Sequence, residues 1–145
     1  MTATSSVKTI IQTENAPAAI GTYSQAVKTG NLLFVSGQIP LNPANGEMVS
    51  EDFTEQAHQV FKNLIAVAEA AGTSLDNAVK LGVFLTDLGN FAALNDVMAQ
   101  YVKAPFPARA AVEISALPKA ALIEIDAIIA IEEKAALHNT RPIED

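Results

Sequence analysis

The stretch LIEIDAIIAI, Leu122 to Ile131, alternates between two rows of side chains. Ile123, Ile125, Ala127, Ile129 and Ile131 make one wholly apolar row. Leu122, Glu124, Asp126, Ile128 and Ala130 make a mixed one. Side chains of a strand point alternately to its two faces, so the segment predicts a strand with its apolar row in a core. The other row then faces either solvent or a second subunit. The preceding apolar run, Ala108 to Ser115, reads the same way, with Ala110, Val112 and Ile114 as the core row and Arg109, Ala111, Glu113 and Ser115 opposite. If ALPKAA, residues 116–121, joins these two strands as a hairpin, Arg109 stands opposite Ile128, four residues from Glu124, or ~13 Å at the rise of a strand. A small molecule does not span that distance, so any one site using both charges would draw Arg109 and Glu124 from different subunits.

Working outward, residues 7–13 predict a first strand, and AVKTGNLLFVSG, residues 26–37, two more around a turn at Thr29-Gly30-Asn31. The clearest helix runs from Asp52 to Ala71. Ala57, Val60, Phe61, Leu64, Ile65 and Ala68 recur at the helical period; Asp52 and Glu55 suit its first turn and Gly72 its end. Val79, Leu81, Val83 and Leu85 alternate as one face of a strand. Asn90 is placed to cap a second helix, Phe91 to Val102, with a stripe of Phe91, Leu94, Met98 and Tyr101. Pro105 and Pro107 stop it. The order β-β-β-α-β-α-β-β predicts an α+β domain, a six-stranded mixed sheet with two helices on one face. Residues 1–131 form the domain and 132–145 a charged tail.

The composition narrows the chemistry. The 145 residues contain no cysteine, which removes disulfides and thiolate chemistry. His58 and His138 lack ligand-like spacing, so no metal site is expected. The net charge of −7 comes with nine scattered basic residues and no basic run, which argues against a nucleic-acid partner. No apolar run is long enough to span a bilayer, and MTATSSVK lacks the apolar segment of a secretory signal. A cytoplasmic protein without a membrane partner is expected.

Six segments in register, ENAPAAIGTYSQAV, FVSGQIPLNP, EAAG, FLTDLGNFAALND, FPARAAVEI and ALPKAALIEIDAIIA, resemble the RidA/YjgF family of enamine/imine deaminases. The resemblance covers Val7 to Ile131. It implies a chorismate-mutase-like fold and a homotrimer whose sheets form a central barrel, with sites between subunits. It further implies hydrolysis of 2-iminoacids, such as 2-iminobutanoate and 2-iminopropanoate, or their 2-enamine tautomers, to 2-oxoacids and ammonia, without cofactor or metal. The family's motif positions fall here on Arg109 for the substrate carboxylate and Glu124 for the water. Tyr23, Ser36, Gly37, Phe91, Asn95 and Ala111 fall at substrate-binding positions. Two residues depart from the pattern: Thr22 stands where proline is usual and Ala111 where many members have cysteine.

The residue types suit that chemistry. A guanidinium binds a carboxylate through two parallel hydrogen bonds and stays charged. A carboxylate can deprotonate water and return the proton to the leaving nitrogen. Other readings stand beside these. Arg109 could pair with Glu113 or Asp126, and Glu124 could be a solvated strand residue. The whole protein could hold a 2-oxoacid as a sensor without turnover, or be a ribonuclease or translation inhibitor, labels that family members also carry.

Overall fold

The computed structural model describes residues 2–4 and 7–132; the charged tail beyond residue 132 lies outside the described residues. The six predicted strands form one sheet: β2 (Thr9–Ile11), β3 (Ala26–Thr29), β4 (Leu32–Gln38), β5 (Ala78–Leu85), β6 (Ala108–Glu113) and β7 (Ile123–Ala130). A three-residue strand, β1 (Thr2–Thr4), extends its edge, giving the order β1-β2-β3-β4-β7-β5-β6. All pairs are antiparallel except β5 with β6. Two helices, α1 (Phe53–Ala70) and α2 (Phe91–Met98), complete the α+β domain, with α1 packed on β4 and β7 and against α2.

The ends of α1 follow the sequence signals. The Asp52 carboxylate accepts the Glu55 amide at 3.0 Å. At the other end Gly72, at φ +83°, lets its own amide reach Glu69 O and that of Thr73 reach Ala68 O, the paired bonds of a Schellman ending. Helix α2 is shorter than predicted and begins otherwise. Asn90 makes no capping bond. A one-turn 3-10 helix, Leu88–Asn90, precedes it instead, held by Asp87 Oδ1 accepting Gly89 N at 2.7 Å and Glu113 Oε1 accepting Leu88 N at 2.9 Å.

The apolar row of β7 is buried as its alternation requires: Ile123, Ile125, Ala127 and Ile129 lie under α1 with Leu33, Phe61, Leu64, Leu81 and Leu85. Val79 departs from its predicted row and is exposed. The register against β7 shifts between Ala78 and Lys80, turning that residue away from the core.

Two expectations about β6 are overturned. It does not form a hairpin with β7; β5 lies between them, and β6 is an edge strand parallel to β5. Its faces are also reversed. Directly paired residues share a sheet face, and the register pairs Leu81 with Arg109, Val83 with Ala111 and Leu85 with Glu113. Leu81, Val83 and Leu85 are buried on the helix side. Arg109, Ala111 and Glu113 therefore face the helices, while Ala110 and Val112 face outward. Single-strand alternation cannot say which row is inside when a strand is at the edge and mostly exposed, and here the apolar row is the outer one.

Candidate functional site

The residues singled out in the sequence gather in two places. The first is a cavity of about 620 Å³ bordered by Tyr23, Gly37, Lys119 and Glu124, with Ile20 and Leu41 among its apolar walls. Much of its wall is loop, held by buried amides. Gln25 is almost wholly buried; its Oε1 accepts Thr13 N at 2.7 Å, and its Nε2 donates to Thr13 O, Ala16 O and Pro17 O. This one side chain pins the segment that leads to Tyr23. Ser36 donates its hydroxyl to Ser24 O at 2.6 Å, so it too braces that loop and does not line the cavity. Asn63 on α1 donates to Ile39 O and Leu41 O, holding the chain that leaves β4.

Glu124 reaches the cavity from the outward row of β7. A methyl group on Gly37 would overlap its carboxylate as it now lies, so a larger residue there would push that side chain aside. The carboxylate is half-buried and takes no hydrogen bond or ion pair from any described residue. Loss of solvent, and secondarily the neighbouring Asp126 charge, push its pKa above the usual carboxylate value. The loop opposite carries Lys119 and Ala120 at φ +57° and +58°, and Lys119 Nζ donates to Gly46 O at 3.2 Å.

The second place lies on the helix side of the sheet, where β6 meets α2. Arg109 Nη1 donates to Asn95 Oδ1 at 2.8 Å and touches Met98 Sδ at 3.6 Å. The guanidinium carbon stands 5.1 Å from the centroid of the Phe91 ring. Phe91, Asn95 and Met98 follow at i, i+4 and i+7, so one face of α2 presents all three to the arginine. A cavity of about 350 Å³ opens beside it, walled by Val102, Phe106 and Pro107. Ala111 lies two residues along the same row and is partly buried.

Neither Glu113 nor Asp126 pairs with Arg109. Among the described residues the recorded ion pair is Lys103 with Asp76, and no carboxylate lies within reach of the guanidinium. Glu113 instead caps the turn before α2. Arg109 is thus a fixed, oriented cation without an anion.

Sequence reading missed three contributors. Met98 lies in the buried stripe of α2 as expected, and its spacing from Phe91 and Asn95 also puts its sulfur on the arginine's side. Gln25 follows Tyr23 by two residues, and Lys119 carried no signal beyond lying in a loop. Among the described residues no cluster of three His, Asp or Glu could hold a metal, and no helix is long and apolar enough to cross a membrane.

Residues 13–131 match the family model described as Endoribonuclease L-PSP. The chain belongs to the RidA/YjgF family. A RutC family protein, y4sK, of Sinorhizobium fredii is 54% identical over 121 residues, covering 83% of this chain and 96% of that protein. A protein of Dermatophagoides farinae named 2-iminobutanoate/2-iminopropanoate deaminase is 45% identical over 127 residues, 88% of this chain and 99% of its own length. The crystal structure of RidA from the Antarctic bacterium Psychrobacter sp. PAMC 21119 superposes with a TM-score of 0.81 at 53% identity, covering 83% of this chain and 98% of that one. The fold of this chain is therefore the RidA fold, and its two helices on one face of a mixed sheet are those of the family.

Proposed function

We propose that this chain hydrolyses small 2-iminoacids to 2-oxoacids and ammonia, at a site completed by two copies of itself. The observation that carries the reading is the separation of its two charged groups. Arg109, unpaired, faces the helix side of the sheet; Glu124, unpaired and with a raised pKa, faces the other. Each stands at its own open cavity, so a substrate touching both must lie between molecules. Exposed apolar side chains support such an assembly. Phe34 and Val112 lie 42% and 45% exposed on the outward sheet face, and Ile20 and Phe106 project beside the two cavities. The family resemblance supports a trimer as that assembly.

In the shared cleft the guanidinium of one protomer binds the substrate carboxylate through two parallel hydrogen bonds. Asn95 and the Phe91 ring keep the guanidinium in place, so the carboxylate fixes the position of the adjacent C=N carbon. Glu124 of the neighbour takes a proton from water as the oxygen attacks that carbon. The protonated carboxyl returns that proton to nitrogen, giving a carbinolamine; the carboxylate then takes the hydroxyl proton and passes it to the amine as the C–N bond breaks and the C=O bond forms, leaving a 2-oxoacid and ammonia. A carboxyl whose pKa is raised is the better proton carrier for both steps. A deaminase name on a relative 45% identical supports the same reaction class.

The test is complementation. An amino-acid oxidase with catalase generates 2-iminobutanoate, and its decay is followed with added protein. Arg109→Ala and Glu124→Gln are each expected to be nearly inactive. Unfolded together and refolded at equal amounts, they are expected to regain roughly a quarter of native activity, because one contact in four pairs two intact halves. No acceleration by the native protein overturns the deaminase reading. Two inactive variants that fail to complement overturn the shared site. Binding of 2-oxobutanoate without any turnover would favour a sensor.

A further inference from the structure

The Met98 sulfur is the softest atom in the arginine half-site, and the reaction above gives it no task. The chain has three methionines, Met1, Met48 and Met98. Met98 is only 9% exposed, yet it borders the open cavity of about 350 Å³ beside Arg109. Its sulfur lies 3.6 Å from Arg109 Nη1. A thioether is a weak acceptor, so this contact leaves the guanidinium free for an anion. Asn95 Oδ1 accepts from Nη1 at 2.8 Å, and no carboxylate among the described residues takes the remaining donors.

We propose that Met98 is a modification site, an oxidation-sensitive brake that acts on Arg109. The proposal rests on the reading of Arg109 as the carboxylate anchor. A small hydroperoxide entering the cavity is attacked by the sulfur lone pair. The O–O bond breaks, an S–O bond forms, and hydrogen peroxide leaves as water. Sulfur is oxidised by two electrons and the peroxide reduced by two. The sulfoxide oxygen is a strong, partly negative acceptor held beside an unpaired guanidinium. It takes a charge-assisted hydrogen bond that the substrate carboxylate would otherwise take. The brake therefore weakens substrate binding more than it slows the chemical step, and a sulfoxide reductase releases it.

The native protein is treated with hydrogen peroxide. Oxidation of the Met98 and Met48 peptides is followed by mass spectrometry, with kcat and KM for 2-iminobutanoate measured in parallel. As Met98 is converted, KM is expected to rise roughly tenfold, the size of one competing hydrogen bond to a charged group, with a smaller change in kcat. Methionine sulfoxide reductase restores it. Met98→Leu is expected to show kinetics that peroxide no longer changes, whatever its starting KM. Met98→Gln, whose amide oxygen stands in for the sulfoxide, is expected to have a raised KM without peroxide. Met98 staying reduced while Met48 is converted overturns the proposal, as does complete Met98 oxidation with unchanged KM, or KM loss that follows unfolding by circular dichroism. If the untreated protein hydrolyses no imine, the functional reading fails, and the brake is judged by NMR. Oxidation must still move the Arg109 side-chain signal in the native protein and not in Met98→Leu; an unmoved signal overturns it.

Discussion

Arg109 and Glu124 lie on opposite faces of one sheet. The register runs from Arg109 through Leu81 to Ala127, three residues along β7 from Glu124. Two strand spacings and three residues of rise put their backbones roughly 14 Å apart, with side chains diverging. The hairpin expected from the sequence gave a similar distance for a mistaken reason. The structure sharpens the conclusion, since no side-chain rotation brings the two groups of one chain together through a packed sheet.

Replacing the arginine separates charge from geometry. Arg109→Ala is expected to lower kcat/KM by about 10²-fold or more, the worth of a bidentate charged pair. Arg109→Lys keeps the charge and loses the fork, so it is expected to recover only part of this. Steady-state kinetics on 2-iminobutanoate check both; a lysine variant equal to native would show that charge alone suffices.

The raised pKa of Glu124 makes two pH predictions. Its carboxylate must be ionised to accept a proton, so kcat/KM is expected to fall on the acid side with a midpoint above the ordinary value of 4.5. Asp126→Asn removes the secondary, charge-based cause and is expected to move that midpoint down while leaving the larger burial effect. A pH–rate profile of the two proteins decides it.

The same shift has a stability consequence of definite sign. The unfolded chain ionises Glu124 at lower pH than the folded one. Its contribution is therefore most favourable below the unfolded pKa and is lost as pH rises through the folded one. Glu124→Gln escapes that loss. Its melting temperature relative to native is expected to rise with pH across this window, even as its turnover collapses. Thermal melts from pH 4 to 7 test this, and a difference that does not change with pH would contradict it.

Gly37 offers a steric test of the same carboxylate. Gly37→Ala places a methyl group where Glu124 lies, and β7 is held on both sides by β4 and β5, so the side chain must turn aside. Turnover is expected to drop by about 10²-fold, the usual worth of a displaced acid–base group. Retention of 2-oxobutanoate affinity, measured by calorimetry, would show that the carboxylate anchor survives.

Ala120 predicts a gain in place of a loss. It sits at φ +58°, where an alanine methyl crowds the following carbonyl. Ala120→Gly is expected to stabilise the chain by about 1 kcal/mol, the left-handed penalty less the extra chain entropy of glycine. Urea unfolding with an unchanged m-value would confirm it.

The sequence by itself was enough for what is local or periodic. The alternation of Ile123, Ile125, Ala127 and Ile129 placed β7 in the core, because period two against a buried face admits one register. Asp52 and Gly72 marked the ends of α1, because capping and left-handed backbone are properties of a few adjacent residues. The identities of Arg109 and Glu124 as chemical groups were equally plain. Only the tertiary structure decided which way β6 faces. Its row is set by pairing with β5, across a helix and a loop, and its outward side chains are the more apolar ones, the reverse of what alternation alone suggests. That long-range pairing puts Arg109 among Phe91, Asn95 and Met98 on α2, and leaves Glu124 to the cavity on the other side.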